Sequence, residues 1–149
     1  MLMMAVMVLA AATAMPVDKT EPLETLFREF GLFGTWAPDC KQAASLDNPH
    51  VSITIPGAGA VLEEHDLGSG FAINRYSMLT GERLSDELLA VQTIFQPGTA
   101  EEERERLVFR VRGETRRTMF NQPDGGKAHV VDGVALPAGS KTPVLKKCE

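Results

Sequence analysis

Few residues in this chain have the types and spacing for chemistry. It contains three histidines. Glu63 and His65, two apart in VLEEHD, share one face of a strand, with Glu64 and Asp66 on the other. With His50 or His129 brought in from elsewhere they would suit zinc. No short two-histidine spacing supports such a site, so we read them as strand-end polar residues and expect no metal or other cofactor. Ser69 in GSGF lacks a nucleophile elbow and a placed base, and Gly57-Ala58-Gly59 precedes a strand-like segment rather than a helix N-terminus. Both are read as hairpin connections. An enzyme therefore ranks behind the non-enzymatic readings, with no catalytic residue assigned.

Two stretches suit ligand binding better. Arg106, Arg110 and Arg112 alternate along RLVFRVR on one face, and the Gly113 turn lets either Arg116 or Arg117 come beside them. Such a patch suits carboxylate or phosphate groups, unless Glu101, Glu102, Glu103, Glu105 and Glu114 neutralise it. In Asn74-Arg75-Tyr76 the only tyrosine would present its hydroxyl to a ligand if it faced inward, while Arg75 pointed to water. Tyr76, Arg75, Arg110, Arg112 and Trp36 are the candidate ligand-binding residues.

The elements that must position these residues begin after an apolar leader. MLMMAVMVLAAATA, residues 1–14, is apolar or small throughout and ends in the small-x-small pattern Ala12-Thr13-Ala14. That is a signal-peptide pattern without the usual positive n-region, and it predicts export, leaving residues 15–149 as one domain. The net charge of −5 argues against a nucleic-acid partner, and no segment is expected to span a membrane after cleavage. In an oxidising compartment the only two cysteines, Cys40 and Cys148, have each other as default partners. The alternative, a redox thiol pair, lacks C-x-x-C spacing.

Leu23, Leu26, Phe27 and Phe30 fall at i, i+3, i+4 and i+7, with Pro22 suiting the first turn and Gly31 the C-terminal cap. Beyond them the period changes to two. HVSITIP and RLVFRVR alternate, and GAVLEEHDLG, SGFAINRYSMLTG and ELLAVQTIFQPG are strand-length segments between turn residues. Gly113-Glu114 and Asp132-Gly133 mark hairpins. With TWA as the first strand, the pattern predicts one short helix and an antiparallel up-and-down barrel of about eight strands, mainly β, closed on itself to remove its edges.

Gly34-Thr35-Trp36 after a short helix is similar to the G-x-W that opens the first strand of lipocalin-like (calycin) barrels. A longer set of stretches, FGLFGTWAPDC, NPHV, NRYS, RRTMFNQP and TPVLKKC, resembles a family of uncharacterised bacterial exported proteins and spans nearly the whole mature chain. That resemblance implies a shared exported fold with Cys40 bridged to Cys148, and no activity. The expectation is a periplasmic protein binding a small apolar or anionic ligand in a lipocalin-like barrel. The alternative is an interaction or inhibitor module of the envelope with a filled interior, meeting another protein.

Overall fold

The computed structural model describes residues 21–149, and the expected signal peptide, residues 1–14, lies outside them. The helix α1 spans Leu23–Glu29. Its apolar stripe buries Leu26, Phe27 and Phe30. Pro22 stands one position earlier than expected, as the N-cap, because its ψ of 137° is extended. Gly31, at φ 64°, ends the helix. Its N–H reaches Arg28 O and the N–H of Leu32 reaches Phe27 O, a paired closure that needs a left-handed residue at Gly31.

Ten strands follow: β1 (Gly34–Ala37), β2 (His50–Thr54), β3 (Val61–Asp66), β4 (Asn74–Arg83), β5 (Leu88–Phe95), β6 (Glu103–Arg112), β7 (Thr115–Pro123), β8 (Val130–Val131), β9 (Val134–Ala135) and β10 (Leu145–Cys148). Strands β1 to β7 pair in sequence order, and β10 pairs with both β7 and β1. The result is a closed antiparallel barrel of eight strands, as the alternation predicts. The strands β8 and β9 stay outside the ring. They form a hairpin about Asp132-Gly133, both at positive φ, that extends the C-terminal half of β7 where β10 is too short to reach.

The closing strand, LKKC, carries almost no alternation signal. Lys147 lies opposite Trp36 and would put an ammonium among apolar groups. It donates instead to Gly31 O at 2.7 Å and lies over the Trp36 ring. Cys40 and Cys148 are joined, so the tail is tied both by the β10 ladder and by the covalent bridge.

One end of the barrel is sealed by α1. Leu26, Phe27, Leu32 and Trp36 pack there with Ile53, Leu89 and Phe109 in a single apolar cluster. Gly81, on β4, faces the helix: a Cβ there would sit 3.0 Å from a Leu26 methyl. The β4 strand bulges between Met78 and Thr80, and this extra residue turns Gly81, not Thr80, toward α1. At the opposite end lie the loop of residues 38–49, the loop of 67–73, the loop of 96–102 and the segment 124–144. Asn48 braces the first of these. Its amide donates to Asp39 O, Gln42 O and Ala43 O and accepts the Asp39 N–H.

Candidate functional site: an ionisable cluster in the barrel interior

Alternation along β3 carries Val61, Glu63 and His65 into the barrel. From the other side of the lumen β7 projects Arg116, whose Nη1 and Nη2 donate to Glu63 Oε2 and Oε1 at 3.0 and 3.2 Å. Glu63 is 1% exposed and Arg116 2%. His65 Nε2 lies 2.6 Å from Glu63 Oε1, and the guanidinium stacks 4.4 Å from the Phe109 ring centroid. Burial alone pushes the Glu63 carboxyl up, but Arg116 and His65 together outweigh it and hold its pKa at about 2. The pair is thus ionised, and bidentate geometry makes it directional.

Tyr76 stands beside Glu63 across the β3–β4 ladder. Its ring lies between His65 and Phe95, with centroids 4.9 and 5.0 Å away. Burial, then the charges of Glu105 and Glu63, raise its pKa, so its hydroxyl keeps its proton. Thr93, also fully buried, bonds Ser77 O.

A second buried carboxylate belongs to β6. Glu105 is 4% exposed and accepts one side-chain hydrogen bond, from Asn121 Nδ2 to Oε2 at 3.1 Å. Burial raises its pKa. The Asn121 hydrogen bond and the His129 charge oppose the rise, and Glu103 adds to it. Asn121 is inside only because β7 bulges. Thr118 opposes Phe109 while Phe120 opposes Val108, so Met119 is the extra residue and everything after it changes face. Two buried atoms in this interior, Arg116 Nε and Asn121 Oδ1, have no hydrogen-bond partner.

The candidate residues separate accordingly. Tyr76 is in the cluster. Trp36 is inside but fully buried at the α1 end, with Nε1 donating to Leu32 O at 2.8 Å. Arg75 points out and bonds Glu64. Arg110 and Arg112 lie on the outer face of β6, Arg112 paired with Glu87. The hairpin brings Arg117 beside Arg110, whereas Arg116 turns inward. Glu105, expected among the counter-charges of that stripe, is inside as well. Glu63 and His65 meet, but His50 is bonded to Gln42 O outside the barrel. No group of three metal-ligating side chains occurs among the described residues.

Sequence reasoning missed Arg116, Glu105 and Asn121 as interior groups. Alternation signals the first two once β6 and β7 are registered, since each shares a face with buried apolar neighbours, but no local signal marks the bulge. A groove of about 490 Å³ lies elsewhere, beside α1, lined in part by Leu26, Gly81, Arg83 and Arg106. It holds neither of the unpartnered buried atoms. No helix among the described residues is long and apolar enough to cross a membrane. No protein-family model matches the chain, and neither a curated protein nor a solved structure shows significant similarity to it.

Proposed function

We propose that this protein is an exported small-ligand-binding protein of the bacterial envelope, periplasmic in location, taking its ligand at the barrel end opposite α1. The observation that carries the reading is the interior cluster of Glu63, His65, Tyr76, Glu105, Arg116 and Asn121. A barrel that needed only a core would fill this volume with apolar side chains at no loss of stability, because a buried ion pair gains little over them. Here the interior keeps polar groups and leaves two buried polar atoms without partners, groups that a bound ligand would satisfy. The Cys40–Cys148 bridge supports export, since such bonds persist in oxidising compartments. Trp36 on β1, packed under the helix, supports the lipocalin-like reading of Gly34-Thr35-Trp36.

Native mass spectrometry of the protein released from the periplasm tests the proposal. A retained small molecule, lost on Glu105→Leu, is the expected result. Bare protein at its sequence mass, unchanged across ligand screening, would overturn it.

A second reading has its own observation. Arg104, Arg106, Arg110 and Arg112 share the outer face of β6 with Arg117 alongside, and among the described residues Arg112 alone of them is in an ion pair. Such a row suits an acidic partner protein, as an interaction or inhibitor module would have. Replacing Arg110 and Arg112 by serine should then abolish co-purification of that partner at low salt without changing the melting temperature.

A further inference from the structure

The two interior carboxylates are treated differently. Glu63 has a guanidinium held against it on two bonds. Glu105, 4% exposed and nearer the barrel end, has no Lys or Arg within ion-pairing distance among the described residues, and its one side-chain donor is a neutral amide. Orienting Asn121 Nδ2 toward Oε2 leaves the amide oxygen buried and unpartnered. Asn121 Oδ1 is thus a buried acceptor without a donor, hydrogen-bonded through its amide to a carboxylate with no counter-ion, and the group that satisfies both carries several N–H bonds and a positive charge.

The surroundings agree. Tyr76 feels the Glu105 charge and touches Phe95, so aromatic rings, which attract cations, adjoin this carboxylate. Phe95 is opposite Glu103, and Glu101, Glu102 and Glu103 form the adjoining lip, a field that draws cations toward this end. The interior also holds one unpartnered donor, Arg116 Nε, but the charge of that guanidinium is already matched by Glu63. Burial raises the Glu105 pKa, as it does for a carboxyl lacking its counter-ion.

Resting on the small-ligand reading above, we infer that the ligand is an organic cation, a primary amine on an apolar body. Its ammonium binds Glu105 and Asn121 Oδ1, and its body lies against Tyr76 and Phe95.

Calorimetric titration with three isosteric probes, 2-phenylethylamine, 2-phenylethanol and phenylacetate, tests this. The amine should bind at least about tenfold more tightly than the other two, since a charge-assisted bond at a buried carboxylate is about twice as strong as a neutral one. Glu105→Gln should erase the preference for the amine, and Asn121→Leu, should the first variant fold poorly, should weaken the amine more than the alcohol. Equal affinity for all three probes overturns the inference while leaving small-ligand binding intact. Binding of none of them, or a preference for the amine that survives both substitutions, overturns it too. The broader reading falls separately, on mass spectrometry that finds no retained molecule.

Discussion

Removing Arg116 is the perturbation whose outcome depends most directly on the interior geometry. In Arg116→Met the Glu63 carboxylate keeps only His65, at 1% exposure, and a buried charge stripped of its partner costs about 3–5 kcal/mol. The proton side gives a separate, net quantity, in which burial opposes Arg116 and His65. A fall in the Glu63 pKa from 4.5 to about 2, at about 1.4 kcal/mol per unit, corresponds to about 3 kcal/mol. Because the folded-state pKa is lowered, that stability is fully present above pH 4.5 and is lost as the pH falls toward about 2. The double variant Glu63→Leu/Arg116→Met removes both charges and should recover most of the loss, since apolar groups of similar volume replace an ion pair at little cost.

Urea unfolding followed by Trp36 fluorescence, at pH 7 and pH 3, measures all three proteins. The expected order at pH 7 is wild type and double variant close together and the single variant far below. In a domain of this size each kcal/mol moves the melting temperature by about 3 °C, so the single variant should melt about 10 °C lower. At pH 3 the gap between wild type and single variant should shrink. An Arg116→Met protein within about 1 kcal/mol of wild type at pH 7, with an unchanged acid limb, would refute the claim that this pair is desolvated.

Glu105→Gln should stabilise the unliganded protein at neutral pH: a raised folded pKa means stability is lost as pH rises above 4.5, so the advantage should disappear near pH 4, and equal melts at both pH values would contradict the burial argument. Replacing Cys40 and Cys148 by serine opens a separation of 108 residues and should lower stability by up to about 4–5 kcal/mol on the chain-entropy account, read from chemical denaturation. Gly81→Val forces a side chain against Leu26 and Leu23 and should cost about 1–3 kcal/mol; it should also shift Trp36 emission to the red as α1 lifts, and unaltered emission would mean the helix does not seal that end.

The local signals in the chain were strong ones. A helix period ending at Gly31, two-residue alternation from Val51 onward, and the Asp132-Gly133 turn each arise from backbone and side-chain geometry within a few residues, and they specified one helix and about eight antiparallel strands. With two cysteines in the chain the bridge had one possible pairing, and the inward side of Tyr76 was one of two alternatives.

Other features required the assembled barrel. That LKKC closes the ring is a matter of which edges remain free after seven strands have paired, and nothing in Leu145, Lys146 and Lys147 announces it. The Glu63–Arg116 bond joins residues 53 apart across a lumen, so it depends on the stagger with which the strands close. Asn121 reaches Glu105 only because one additional residue at Met119 inverts the faces beyond it. A period of two carries no memory of which side is inward, so a single bulge or a shift of register reverses the assignment, and only the packed tertiary structure selects between the two.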